Sequence, residues 1–167
     1  LPELLNELHG RVAAVSSCGT ESAVLLHLVA GIDKAVPVIF VNTQKIFGET
    51  LAYRDELAEK LGLLDLREYR PDPRILADKD ATSLRWSYDP DGCCDIRKVE
   101  PLRRMLATTN AWMTGQRKDQ SPGTRNSVPQ IQLDTSFTGN DGALVKFNPL
   151  ANWSSGEVWD YIRALEV

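Results

Sequence analysis

The sequence has few of the features on which several common protein classes depend. Its three cysteines include an adjacent pair, which bridges only with strain, so it lacks the disulfide framework of small secreted domains. No apolar run reaches the roughly 18 residues needed to cross a bilayer. Residues 1–10 carry Glu3 and Glu7 where a signal peptide would be basic. These absences predict a cytoplasmic protein in a reducing compartment, with no membrane partner.

The length and composition suit a single domain. With 167 residues and 43% hydrophobic side chains, the chain can bury one substantial core. The sequence begins without Met and stops at Val167, directly after a strongly helical stretch. We therefore interpret residues 1–167 as one domain cut from a longer chain, and expect its site to be incomplete.

Positive charge is scarce overall but concentrated in one window. The chain is net −4, whereas residues 93–125 hold seven cations against three acids and are net +4. A local cationic island in an acidic chain favours a small anionic ligand over a nucleic acid. Two adjacent thiols open the window, and thiolates beside fixed cations titrate low and make ready ligands or nucleophiles. The cations are Arg97, Lys98, Arg103, Arg104, Arg117, Lys118 and Arg125.

Hydrophobic patterning predicts an α/β fold. Short apolar runs at 12–15, 37–42 and 66–69 have the character of buried parallel strands, and helical patterns separate them at 23–30 and 48–61. This βαβαβ succession, with right-handed crossovers, makes a doubly wound and mostly parallel sheet flanked by helices.

Further elements follow in the second half. We predict a turn at 89–92, a helix from Cys93 that Pro101 interrupts, and a strand at 111–114. The runs 129–133 and 144–148 predict a β-hairpin. Ser154 and Glu157 have the spacing of a capping box at the start of the last helix.

Three loops are expected to converge at one edge of this sheet, after Val15, Asn42 and Thr114. Ligands of open α/β sheets bind at the carboxyl ends of the strands. The first loop, 16–22, lacks the Gly-Lys-Ser/Thr ending of ATPase phosphate loops. It either aims a helix N-terminus at a phosphate, or is an ordinary N-cap in which Ser16 or Ser17 satisfies the first turn.

Two groups of residues carry candidate chemistry. Cys93 and Cys94 either pack as small hydrophobes or ligate a metal or cluster, for which two more ligands would have to come from outside this sequence. His9 and His27 are expected on helices, as core or surface residues. Arg117, Lys118 and Arg125 form either a solvated loop or, bracketed by glycines, a loop that wraps an anion with bidentate contacts.

Two motifs together resemble one family. They are Cys93-Cys94-x-x-Arg97-Lys98-x-x-Pro101-Leu102 and Thr-Gly-Gln-Arg-Lys-Asp-Gln-Ser-Pro-Gly-Thr-Arg at 114–125. The chain is similar over essentially its whole length to the sulfonucleotide reductases, the adenylyl-sulfate (APS) and phosphoadenylyl-sulfate (PAPS) reductase family. The resemblance implies an adenine nucleotide α-hydrolase-like fold. At 42–45 the sequence reads Asn-Thr-Gln-Lys where the family usually has Asp-Thr-Gly-Arg/Lys.

The resemblance also implies an activity, the thiol-dependent reduction of APS to sulfite and AMP in sulfate assimilation. Lys98 and Arg125 would hold the sulfate and phosphate, and adenine would lie against the backbone near Val41 and Gly115. A nucleophilic cysteine on a C-terminal tail, absent here, would form a thiosulfonate, so that this fragment alone would bind nucleotide without turnover. The implied nucleotide-binding residues are Ser16, Ser17, Cys18, Gly19, Glu21, Ser22, Val41, Thr43, Lys45, Gly115, Arg117 and Arg125.

The paired cysteines resemble the iron–sulfur branch of the family. There Cys93 and Cys94 would ligate a [4Fe–4S] cluster together with a later Cys-x-x-Cys that this sequence lacks. Thioredoxin or a glutathione-type thiol would be the reductant, and a homo-oligomer is left open.

Three alternatives stand beside this interpretation. One is a PAPS reductase, and another is an ATP pyrophosphatase-type adenylating enzyme on the same fold. The latter needs a fuller Ser-Gly-Gly-x-Asp-Ser loop than Cys18 and Glu21 supply. The third is a non-catalytic nucleotide-binding module whose cysteines only pack.

Overall fold

The structure is a computed structural model that describes residues 3, 11–17, 19–117, 129–134, 136–140 and 142–165. Within these ranges, six strands form one sheet in the order β3-β2-β1-β4-β6-β5. Every neighbouring pair is parallel except β5 and β6, which are antiparallel. The strands are β1 (Val12–Ser16), β2 (Val38–Val41), β3 (Leu66–Tyr69), β4 (Ala111–Met113), β5 (Ile131–Leu133) and β6 (Val145–Phe147).

Helices cover both faces of the sheet, which confirms the doubly wound fold. A 3₁₀ turn at Arg85–Ser87 and a π-helical turn at Asp95–Val99 accompany them. The helices are α1 (Thr20–Ile32), α2 (Gly48–Leu61), α3 (Pro73–Lys79), α4 (Pro90–Cys94), α5 (Glu100–Leu106) and α6 (Ser155–Leu165). None of these described helices combines the length and apolar content that a bilayer span requires.

Strand alternation divides the core into two clusters. On the first face Val12 and Ala14 of β1 pack with apolar side chains of α1, α2 and α6. On the second face Ala13 of β1 and Trp112 of β4 pack under Leu106 and its neighbours on α5. This two-residue period is what allows a central strand to serve both faces.

Two local predictions are wrong at the start of helices. Asp89 to Gly92 is a helix start instead of a free turn, because the Asp89 carboxylate accepts a hydrogen bond from the Gly92 N–H (3.1 Å) and Pro90 occupies the first turn. Helix α1 begins at Thr20, so Glu21 and Ser22 belong to its first turn and not to a loop. The helix expected near the N-terminus lies almost wholly outside the described residues.

The C-terminal predictions are confirmed. The Ser154 N–H donates to Glu157 Oε2 (2.8 Å) and the Glu157 N–H donates to Ser154 Oγ (3.1 Å), which is a capping box. The hairpin of β5 and β6 is also present. His27 has a structural role, since its Nδ1 lies 2.7 Å from the Tyr161 hydroxyl and so joins α1 to α6.

Helix α5 depends on Leu106, which is fully buried on the second face of the sheet. We expect Leu106→Ala to lower the free energy of unfolding by about 2–5 kcal/mol, because it removes buried methyl groups and leaves a cavity. Urea denaturation followed by circular dichroism measures this loss. Leu64→Ala is the matched control, since Leu64 is 77% exposed; equal losses in both variants would contradict the burial of α5.

Candidate functional site

The three loops predicted to meet do so around one cavity of about 640 Å³. It lies at the carboxyl ends of β1, β2 and β4, and side chains from β5, β6 and the π-helical turn complete its walls. The predicted site residues that line it are Ser16, Ser17, Glu21, Ser22, Val41, Thr43, Lys98 and Gly115. Cys18, Lys118 and Arg125 lie outside the described residues.

The loop after β1 is held by its own serines. The Ser17 N–H donates to Ser22 Oγ, and the two hydroxyl oxygens lie 3.2 Å apart. The N-cap of α1 is Gly19, which cannot cap through a side chain and is not among the lining residues. Neither Ser16 nor Ser17 therefore occupies the N-cap position of this helix.

Glu21 in the first turn of α1 connects this loop to the segment after β4. Its Oε1 accepts a hydrogen bond from buried Arg117 at 2.7 Å. Burial raises the pKa of Glu21, but hydrogen bonds from Arg117, from its own backbone and from Thr20 outweigh this and leave the pKa below the ordinary glutamate value. Arg117, predicted to wrap an anion, thus has a protein carboxylate as a partner.

Gly115 permits this close approach. A Cβ at position 115 would lie 3.2 Å from the backbone carbon of Glu21 and 3.2 Å from its Cβ. Few Cβ atoms are accommodated at such distances without a shift of the neighbouring backbone, so glycine allows α1 and the segment after β4 to meet.

The turn after β2 holds the two residues, Asn42 and Gln44, that depart from the family pattern. Asn42 Oδ1 accepts from the Gln44 N–H (2.9 Å), while its amide donates to Glu68 Oε1 (2.8 Å). Gln44 has φ +63°, in the left-handed region where the family's glycine would be unstrained. Lys45 lies outside the main cavity; its Nζ donates to the Ser83 carbonyl (2.7 Å) and it lines a neighbouring cavity.

Arg97 joins this turn to the cysteine-bearing helix. Its Nε and Nη2 donate to Asp80 Oδ2 at 3.1 and 2.7 Å, and its Nη1 donates to the Thr43 carbonyl at 2.8 Å. Both charged side chains are buried, with 4% and 0% of their surface exposed. Hydrogen bonds from Arg97 lower the pKa of Asp80 below its ordinary value; burial opposes this shift, and the Arg85 N–H adds to it.

The two cysteines stand at the end of α4, directly before the π-helical turn. Cys93 is buried, Cys94 is exposed, and both are free thiols. Lys98, in the same π turn, is exposed at the cavity rim, and no other described residue forms an ion pair with it. Single π turns inside helices occur frequently at functional sites.

The cysteine pair could supply part of a metal or cluster site. Across the described ranges no group of three or more Cys, His, Asp or Glu side chains is arranged to hold a metal ion. Two neighbouring thiols, one of them open to solvent, are nevertheless soft donors of the type that iron–sulfur clusters use. The residues present therefore fit half of a four-thiolate ligand set.

Sequence reasoning missed the floor of the cavity. Trp112 and Gln132 are the register partners of Lys146 on either side, so the three form one row across β4, β6 and β5. All three line the cavity. A lysine in the middle of the apolar run 144–148 was the available signal. Thr114, Gln116, Asp134, Ser136 and Phe137 also contribute to the walls.

Comparison with known proteins agrees with this architecture. The phosphoadenosine phosphosulfate reductase domain family matches residues 11–167. The chain belongs to this family. It is 44% identical over 156 residues to an adenosine 5'-phosphosulfate reductase of Mesorhizobium japonicum, covering 93% of this chain and 58% of that protein. It is 41% identical over 155 residues to the protein of the same name from Chelativorans sp., covering 93% and 60%.

A solved structure shows the same fold. The crystal structure of phosphoadenylyl-sulfate reductase from Candida auris, a phosphate complex, superimposes with a TM-score of 0.76 at 26% identity. The match covers 99% of this chain and 79% of that one. The two bacterial relatives described above are longer than this chain, which spans about 60% of their length.

The buried Asp80 carboxylate should make the stability of the fold depend on pH. Its lowered pKa stabilises the fold fully above the ordinary aspartate pKa of about 3.9, and this contribution is lost as the pH falls through the folded-state pKa. We expect Asp80→Asn to lower the urea midpoint at pH 7, with the gap to the wild type narrowing below about pH 4.

Urea titrations at pH 7 and pH 3 measure this change. Asp78→Asn is the control, because this carboxylate is exposed on helix α3, which ends directly before Asp80, and should leave both midpoints unchanged. A gap for Asp80→Asn that stays constant between the two pH values would disprove the role of the ion pair.

Proposed function

We propose that this chain is the nucleotide-binding part of an APS reductase, which reduces adenylyl sulfate to sulfite and AMP in sulfate assimilation. The observation that carries this proposal is the position of Lys98. It lines a nucleotide-sized cavity at the carboxyl edge of the sheet. In the sequence it lies four residues after Cys94. The family membership and the names of the relatives support the reaction class.

The cavity suits an adenine nucleotide with an anionic tail. Backbone near Val41 and Gly115 would hold the adenine, and the loop that contains Ser17 would receive the phosphate. Lys98 would bind the sulfate, since an ammonium forms strong charge-assisted hydrogen bonds with sulfate oxygens. Arg125, outside the described residues, is proposed to share this role.

The chemistry we propose uses a cysteine from outside residues 1–167. Its thiolate would attack the sulfate sulfur of APS, forming an S–S bond as the S–O bond to the phosphate breaks and AMP leaves. One thiol of thioredoxin, or a glutathione-type thiol, would then attack the modified cysteine sulfur and expel sulfite, which leaves a mixed disulfide. A second thiol of the reductant would attack this disulfide, regenerate the cysteine and leave the reductant oxidised to its own disulfide. This chain's part is to bind the nucleotide and hold the sulfate beside the cysteine pair. A cytoplasmic location stays a prediction.

We further propose that Cys93 and Cys94 would be two of the ligands of a [4Fe–4S] cluster, with two more cysteines from outside this sequence. When bound, the cluster would add charge beside the sulfate site and change the electrostatic potential that the sulfate meets there. Arg97, anchored by Asp80 and the Thr43 carbonyl, fixes the helix that presents these thiols.

PAPS reduction is the second candidate, because the Candida auris structure carries that name. The bacterial relatives at 41–44% identity are named for APS, and they are more similar than that protein at 26%. This difference favours APS as the substrate.

Titration of the complete protein with APS, PAPS and AMP tests the substrate assignment, together with sulfite release in the presence of reduced thioredoxin. We expect APS to bind more tightly than PAPS. Lys98→Ala should weaken APS binding by about ten-fold and AMP binding by much less, because it removes a charged hydrogen bond to sulfate. Lys79→Ala is the control, since Lys79 is exposed on α3. Equal losses for APS and AMP would refute the sulfate contact.

Iron and acid-labile sulfide analysis of the complete protein, purified anaerobically, tests the cluster. We expect about four of each per chain in the wild type, because the proposed cluster has that composition. Cys93→Ser and Cys94→Ser should each lose most of the iron, whereas Cys18→Ser should retain it. Full iron content in either of the first two variants would rule out their role as ligands.

A further inference from the structure

The charge distribution inside the cavity points to a second anion-binding residue. Among the residues described, the cations that line it are Lys98 and Lys146. Its acids, Glu21 and Asp134, are both engaged with protein donors: Glu21 with Arg117, and Asp134 with the Trp112 indole N–H (3.0 Å) and two backbone N–H groups. Glu21 is paired with a cation, whereas Asp134 keeps its negative charge; with Arg117 counted, three cations face two acids, so the described groups leave a net charge of +1 around the cavity.

Lys146 is a charged residue in the interior of a sheet. Its neighbours Val145 and Phe147 pack into the first core cluster, so strand alternation turns Lys146 to the second face, where the cavity lies. Its register partners are Trp112 on one side and Gln132 on the other. Lys146 is half-buried, so its apolar stem can pack on the sheet, but partial removal of the ammonium from water costs free energy. A role for the ammonium in the cavity would account for a lysine at this position.

The ammonium of Lys146 is held in a defined place. Its Nζ lies 4.9 Å from the centroid of the Trp112 ring and donates to Gln116 Oε1 at 3.0 Å. Trp112 is itself fixed by Asp134, at 3.0 Å from the indole nitrogen. Because the Lys146 ammonium is already held in place, it loses little conformational freedom when it binds an anion.

The contacts of Lys146 lead toward the loop after β1. Gln116 follows Gly115, whose Cα is packed against the backbone of Glu21 in the first turn of α1. Lys98, by contrast, comes from the π turn beside the cysteine pair. The two lysines thus reach one cavity from different elements, Lys98 from the π turn and Lys146 from the sheet, as two adjacent anionic groups of one ligand would require.

We propose that Lys146 binds the phosphate group that APS shares with AMP, whereas Lys98 binds the sulfate. This inference rests on the proposed function, because it assigns the two anionic groups of that substrate to two lysines. Nothing in the sequence motifs singles out Lys146. Its role follows from the row of side chains across β4, β6 and β5.

Calorimetric titration of the complete protein with adenosine, AMP and APS tests the assignment. We expect Lys146→Met, which keeps the apolar stem over Trp112, to weaken AMP and APS binding alike by about ten-fold or more, and adenosine by less than about two-fold. Lys146→Arg should stay within about three-fold of the wild type for AMP, because it keeps the charge. Lys79→Met, at an exposed position, is the control.

The outcomes separate this inference from the proposed function. Equal losses for adenosine and AMP in Lys146→Met, or an unchanged AMP affinity, would overturn the phosphate contact even if the wild type binds APS. A wild type that binds AMP but neither APS nor PAPS would overturn the proposed function, while the contrast between adenosine and AMP still decides the role of Lys146. A wild type that binds none of adenosine, AMP and APS would overturn both the phosphate contact of Lys146 and the proposed function.

Discussion

The buried guanidinium of Arg97 is the contact on which the arrangement of the site depends. It joins the π turn after the cysteine pair to Asp80 and to the Thr43 carbonyl at the rim of the cavity. Such a buried ion pair adds little net stability compared with apolar packing, but removal of one partner leaves the other charge without compensation. The pair therefore specifies geometry: the cysteine helix and the turn after β2 can adopt few other relative positions.

A second constraint brings the remaining two loops together. Parallel strands place the carboxyl ends of β1 and β4 side by side, and Gly115 lets the segment after β4 approach Glu21 without a side chain between them. Arg117 then closes the contact through Glu21. In the turn after β2, Gln44 takes a left-handed conformation that glycine would adopt freely. The surrounding hydrogen bonds of Asn42 hold that turn in place.

The parts of the fold with strong local patterns could be predicted from the sequence. The apolar strands, the hairpin and the capping box of Ser154 and Glu157 all depend on residues near each other in the chain. Asp80 and Lys146 could not be assigned in this way, since their partners lie 17 and 30 residues away, at Arg97 and Gln116. The start of α4 was missed because Asp-Pro-Asp-Gly is equally typical of a turn and of a capped first helical turn.

Lys146 and Lys98 differ in their exposure to solvent, and this difference favours one order of events in the proposed reaction. Lys146 is half-buried on the sheet, while Lys98 is exposed where it lines the cavity. Cys94, four residues before Lys98, is also exposed. A nucleotide bound with its phosphate at Lys146 and its sulfate at Lys98 would have the phosphate at the more buried lysine and the sulfate at the more exposed one. An attacking cysteine from outside these residues, and later a thiol reductant, can reach a group at the rim without displacing the nucleotide. In the proposed reaction the same placement would keep the phosphate bound while the S–O bond breaks, so that AMP would leave the protein only after sulfur transfer.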